Sequence, residues 1–263
     1  MTNKYIEALH RAKEEVEKHG HTVIYIAIYW SQNYGLETEF SDIDYKAITL
    51  PSLDDLVQNS TPLSIVIEFE WGQIDIKDIR AYANSAVKVN INFIEILNTE
   101  YFLWDESLRK YFFPLLQEMG SLYLKGCYGM MMEKFSALRH PYPWTIAKIE
   151  KFGYDPKQIH HIFRLHSLMK RHVEWNVGKF MHEWEEKNTL IKIKLWSIPN
   201  ENVDKFATEL IQSAKRMKDE YLIEPRFETK YKMLDETKRI IKQQIIRHES
   251  FTRSKQYILW NTL

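Results

Sequence analysis

Asp42 and Asp44, one residue apart, are the side chains whose type and spacing best suit chemistry. Side chains alternate along a strand, so acids at i and i+2 leave the same face with α-carbons about 6–7 Å apart. Their joint field attracts a hard divalent cation, and magnesium binds through one or two carboxylates completed by substrate phosphates. A third acid on a neighbouring strand would make a two-ion site of the kind that clamps the attacking and leaving oxygens of an in-line phosphoryl displacement. Asp75, between Ile74 and Ile76 in strict alternation, is the preferred third acid, and Glu68 and Glu70 compete for the part. Lys46 shares the face of Asp42 and Asp44, either to neutralise them or to reach a phosphate. On spacing alone the bland reading, a solvated strand face, is the commoner one.

The elements that must position these acids can be read from periodicity. Tyr5, Leu9, Ala12 and Val16 recur at helical steps within Thr2 to Lys18, and Gly20 follows as a stop. Thr22 to Tyr29 has the Val, Ile and Tyr content of a central strand. After a polar stretch from Ser31 to Ser41, Asp42, Asp44 and Lys46 alternate with Ile43, Tyr45 and Ala47 as a second strand. Leu63 to Glu70 and Gln73 to Lys77 flank Trp71-Gly72 as a hairpin, and Asp78 stands where an N-cap belongs. From Tyr101 onward the spacing turns helical, most clearly over Leu116 to Phe135, Pro156 to Val177, Val203 to Tyr221 and Leu234 to Arg247. Leu190 to Ile198 is open between strand and helix. The expected class is α+β, with a small mixed sheet domain over residues 1–100 and a mostly helical domain over 101–263.

Composition narrows the setting. Lys plus Arg number 36 and Asp plus Glu 36, so the summed charge gives no prior for nucleic acid or an anionic membrane. The single cysteine, Cys127, cannot form an internal disulfide and sits among Tyr123, Leu124 and Tyr128 as a buried thiol of a helix. No window reaches the roughly 18 apolar residues of a membrane span, and a soluble cytoplasmic protein is the expectation.

Several runs together resemble the DNA polymerase β superfamily of nucleotidyltransferases, in the form of a bacterial and phage branch. These are Ser31-Gln32-Asn33-Tyr34-Gly35-Leu36, Ser41-Asp42-Ile43-Asp44 with Lys46, Pro51-Ser52-Leu53-Asp54, and Asn90 to Leu97 with Ile91 where the branch has proline. Gly153-Tyr154-Asp155-Pro156-Lys157, followed by His161, Arg164 and Leu165, continues the resemblance in order. It implies a polymerase β palm-like sheet domain and a magnesium-dependent enzyme, with manganese as the other candidate ion. Asp42, Asp44 and Asp75 would be catalytic and metal-holding, Asp75 also orienting or deprotonating an acceptor hydroxyl. Ser31, Gln32, Asn33, Lys46, Lys157, His161 and Arg164 would bind the nucleoside triphosphate, ATP among the candidates. A nucleoside monophosphate would pass to a hydroxyl of RNA or tRNA, protein or a small molecule, and pyrophosphate would leave. One departure stands out: the family has glycine before the serine, where backbone approaches the triphosphate, and this chain has Trp30. A nucleotide-binding regulator or toxin–antitoxin component without turnover is therefore the alternative.

Other candidates read as structure. Lys157, His161 and Arg164 fall on one stripe of a helix, with Ile159, Ile162, Phe163 and Met169 across from it, so a cationic stripe opposite the core is expected. Adjacent His160 and His161 diverge by about 100° on a helix, which disfavours a shared zinc ion. The 8 tryptophans and 15 tyrosines could stack bases of a single strand, although aromatic residues more often fill cores.

Overall fold

The computed structural model describes residues 3–37, 41–69, 71–103, 118–174, 184–194, 198–221, 231–232, 234–243 and 246–247. Glu70, residues 116–117, 175–177 and part of the last expected helix lie outside them.

Helix α1 (Asn3–Lys18) buries Leu9, Ala12 and Val16 completely, as their spacing requires, and Gly20 ends it with a positive φ of 83°. The sheet follows from β1 (Thr22–Tyr29), β2 (Asp44–Leu50), β3 (Ser64–Phe69), β4 (Gly72–Asp78) and β5 (Phe102–Leu103), in the order β3-β4-β2-β1-β5. β1 is antiparallel to β2 and β5, β2 is parallel to β4, and β3 closes an antiparallel hairpin with β4. At the hairpin Gly72 has φ 145°, and a Cβ there would stand 2.5 Å from the Ile43 carbonyl oxygen, so only glycine lets β4 pass so close to the chain entering β2. Ser52 caps the short α3 (Leu53–Val57) after β2, and Asp78 accepts a hydrogen bond from the Arg80 amide at 2.7 Å and starts α4 (Ile79–Val87), as its position predicted.

Strand alternation divides the sheet into two faces. One, with Ile26, Ile28, Tyr45, Ala47, Ile74 and Ile76, packs under α1. The other carries Tyr25, Ala27, Tyr29 and Ile48, and joins α4, α5 (Ile91–Ile94) and the long C-terminal helices in one continuous apolar cluster. Those helices are α6 (Ser121–Ala137), α7 (Ile146–Phe152), α8 (Pro156–Val173), α9 (Trp184–Lys194) and α10 (Asn200–Glu220). Of the open run at 190–198, residues 190–194 are the end of a helix and Ile198 is a bend, and Cys127 is buried within α6. Tyr101 packs on Tyr5 and β5 pairs with β1, so residues beyond 100 help to complete the sheet.

α8 is central, packed against α6, α9 and α10, and it is buried nearly all round. His161, Arg164, Ser167, Arg171 and His172 are interior along with its apolar residues. The expected cationic stripe opposite the core is therefore corrected: that side of α8 faces the sheet half of the molecule, a neighbour that helical periodicity cannot reveal. His172 stacks on Tyr123 with ring centroids 4.4 Å apart and donates from Nε2 to the Gly120 carbonyl at 3.1 Å. Burial lowers its pKa to about 4, the Gly120 hydrogen bond opposing.

A histidine that titrates near 6.5 when unfolded and near 4 when folded contributes stability above pH 6.5 that is lost as pH falls toward 4. Chemical denaturation should show His172→Gln losing about 2 kcal/mol less than the native chain between pH 7 and pH 5. Equal losses would show that His172 does not contribute to the acid sensitivity.

Candidate functional site

A cleft of about 480 Å³ lies between the end of the sheet and the first three turns of α8. Trp30, Ser31, Ser41, Asp42, Asp44 and Gln73 line the sheet side; Pro156, Lys157, His160, His161 and Arg164 line the helix side. Its two walls thus differ in charge, carboxylates facing a helix N-terminus that carries an exposed lysine.

The loop after β1 shapes the sheet-side wall. Trp30 has φ 65° and ψ −131°, a glycine-type conformation, and the single helical turn α2 (Ser31–Tyr34) follows, closed by Gly35 at φ 66°. The substitution of tryptophan for the expected glycine therefore leaves a glycine-like backbone at the position before Ser31. The indole is held from the helical side: His161 meets it edge-on at 4.8 Å, while Arg164 and Lys157 lie 5.2 and 5.6 Å from its centroid. Within a one-turn helix consecutive side chains diverge by about 100°, so Ser31 reaches the cleft while Gln32 and Asn33 turn inward. Gln32 Nε2 donates to the Asp42 carbonyl at 2.9 Å, and Asn33 Nδ2 to the Glu95 carbonyl at 3.2 Å. Both amides are spent on holding the loop.

Asp44 opens β2 opposite Tyr29, and Asp42 precedes the strand. Burial pushes the Asp44 carboxyl up, Lys157 opposes this, Asp42 adds to it, and a hydrogen bond from Gln73 lowers it. Asp75 stands elsewhere. The parallel β2–β4 register sets it beside Lys46, and extending that register by one residue sets Gln73 beside Asp44. Asp75 Oδ2 lies 3.9 Å from Lys46 Nζ and does not line the cleft. Among the described residues no group of three or more His, Cys, Asp or Glu is placed to hold an ion. Of the three expected acids, Asp42 and Asp44 line the cleft, while Asp75 stands in register with Lys46 and is paired with it.

Lys46 is 2 % exposed, with Nζ 4.2 and 4.1 Å from the Tyr29 and Phe93 ring centroids, and it donates to the Asn92 carbonyl. Burial lowers its pKa to about 8 against the pull of Glu95 and Asp75. It is an interior tether rather than a cleft cation. Burial, reinforced by Arg164, keeps His161 well below the usual histidine range and neutral at pH 7. The His160 and His161 rings lie 5.7 Å apart at 77°, splayed as helical geometry predicts.

Arg164 is 1 % exposed, and its Nη1 lies 3.1 Å from Glu95 Oε2, which also accepts the Tyr34 hydroxyl. Glu95 lies within the Asn90 to Leu97 run of the family resemblance, but its pairing with Arg164 is not legible there. The signal for some partner was an acid inside the apolar run Ile91 to Leu97, since a charge buried in such a run must be paired.

The Trp30 backbone can be tested directly. Trp30→Gly and Trp30→Ala both remove the indole, but only alanine keeps a Cβ at positive φ, so the glycine variant should be the more stable by about 1 kcal/mol or more in urea denaturation. Equal stabilities would mean that the loop relaxes once the ring is gone.

No family model matches the chain, and no curated protein does. Among solved structures, a nucleotidyltransferase-like protein from Exiguobacterium sibiricum 255-15 aligns over 87% of this chain and 78% of that one, at 12% identity and a TM-score of 0.29. A score that low carries no argument about architecture or activity.

Proposed function

We propose that this protein is a nucleotidyltransferase that moves a nucleoside monophosphate from a nucleoside triphosphate to an acceptor hydroxyl and releases pyrophosphate. The observation that carries this reading is the Asp42–Asp44 pair in a cleft whose opposite wall is the Lys157 end of α8. Two neighbouring carboxylates, one pushed up by burial and by the other, suit a hard divalent ion that takes the rest of its shell from phosphate and water. Magnesium or manganese would be held by Asp42 and Asp44 and would supply charge neutralisation at the phosphates.

The chain's own groups divide the remaining work. The Ser31 hydroxyl and the amides of its turn offer donors to the phosphates. Lys157, exposed on the opposite wall, adds a positive charge. Arg164 contributes less to a ligand, because Glu95 already balances it. Gln73 holds the Asp44 carboxylate by a hydrogen bond and so fixes where it points. Asp75 orients or deprotonates the acceptor hydroxyl, which requires its 3.9 Å pair with Lys46 to open.

A second reading is favoured by that same ion pair and by Trp30: a nucleotide-binding regulator without turnover, in which Asp75 never leaves Lys46. The protein incubated with magnesium, each labelled triphosphate and cell lysate separates the two. The enzyme reading expects label on RNA, protein or a small molecule, with Asp42→Ala and Asp44→Ala each cutting transfer by at least about 100-fold. Tight triphosphate binding without transfer would instead establish the regulator. Asp75→Asn should abolish transfer while leaving magnesium-triphosphate affinity within about threefold. A parallel loss of binding would contradict its role toward the acceptor.

A further inference from the structure

We propose that the loop between α6 and α7, together with α7, is a docking strip for single-stranded nucleic acid leading to the cleft. His140, Tyr142 and Trp144 alternate there with Pro141 and Pro143. The His140 and Tyr142 ring centroids are 4.3 Å apart, and Tyr142 and Trp144 stack 5.1 Å apart with planes within 2°. Trp144 is 75% exposed and Ile146 42%. A tryptophan with one face on a tyrosine and most of its surface in water leaves its other face open to a flat partner.

The ladder is pre-formed. Thr145, 2% exposed, has its hydroxyl within 3.1 Å of the His140 carbonyl and 3.2 Å of the Tyr142 carbonyl. The Tyr142 carbonyl also accepts the Thr145 and Ile146 amides at 2.8 and 3.0 Å. Two prolines fix φ on either side of Tyr142. A ligand meeting this strip would not have to order it first, which favours affinity.

Ring geometry and neighbouring charge select the occupant. A flat ring ending a parallel stack accepts the face of a nucleobase, and stacking of this kind tolerates any base. Lys148 and Lys151 stand one turn apart on α7, positioned for a phosphate backbone, and among the described residues Lys151 has no ion pair. The strip also leads to the cleft: Lys148 reaches within 4.0 Å of Asp155, which caps α8, and the next residues, Pro156 and Lys157, line the cleft. If the nucleotidyl-transfer reading holds, the strand docked here is its acceptor, presenting a terminal hydroxyl; the docking itself does not depend on that reading.

The test is fluorescence anisotropy of labelled twelve-nucleotide oligo-rA and oligo-dA strands, and of a duplex of the same length, with the full chain carrying Asp44→Ala so that turnover plays no part. Single strands should bind more tightly than the duplex. Trp144→Ala should weaken binding about 10-fold and Trp144→Phe much less. Lys148→Gln with Lys151→Gln should reduce the salt dependence. Trp144 is exposed, so its variants should unfold at the native temperature. No binding of single strands, equal affinity for duplex, or an unaltered Trp144→Ala would each overturn the docking strip. A preference between the ribose and deoxyribose strands would identify RNA or DNA as the natural source. Strand binding by Asp44→Ala, combined with no label transfer to the strand by the native chain, would uphold docking and remove the transfer reading alone.

Discussion

The buried ion pair between Glu95 and Arg164 is the interaction on which the arrangement of this molecule turns. Glu95 is fully inaccessible and belongs to the turn after α5, whereas Arg164 comes from the third turn of α8, 69 residues later. Two charges taken out of water are expensive, and a pair whose partner is removed costs far more than the pair itself contributes. Neither element can move independently without stranding a charge. Tyr34 and Asn33 bring the loop after β1 into the same network, so the loop, the turn and the helix are placed by one set of contacts. The cleft is the space left between them, and its contrasting walls follow from which ends of those elements meet there.

A second constraint is the register of β2 and β4. Parallel pairing sets Lys46 beside Asp75 and leaves Asp44 next to Gln73. A shift of two residues would keep every side chain on its face and bring Asp75 to Asp44. The apolar alternation of Ile74 and Ile76 against Tyr45 and Ala47 fits either register, so side-chain pattern alone does not choose between them. What selects the observed one includes the burial of Lys46 between two aromatic rings and its hydrogen bond to the Asn92 carbonyl. The charge balance of the site is therefore set by a lysine that does not itself enter the cleft.

Trp30 shows how a local departure can be absorbed. Its backbone keeps a conformation that glycine adopts freely, at a cost of about 1–3 kcal/mol for another residue. Contacts of the indole with His161, Arg164 and Lys157 offset that cost and tie the loop to α8. The indole occupies ground at the cleft wall that a glycine would leave empty.

Periodicity determined a good deal of this protein. The spacing of Leu9, Ala12 and Val16 defined α1, the apolar run from Thr22 defined the central strand, Trp71-Gly72 marked the hairpin, and Asp78 announced its helix. These signals are local, because each depends on side-chain direction within a few residues or on one backbone turn. The pairing of Asp42 with Asp44 at the cleft was legible from their spacing, although Asp42 lies just before β2 and not in it as the alternation predicted. Tertiary structure alone decided that Asp75 pairs with Lys46, that Gln32 and Asn33 turn away from the cleft, that Arg164 is interior and that Glu95 neutralises it. Each of those outcomes depends on which surface an element meets across tens of residues of chain, and a periodic pattern specifies that a face is buried without specifying what buries it.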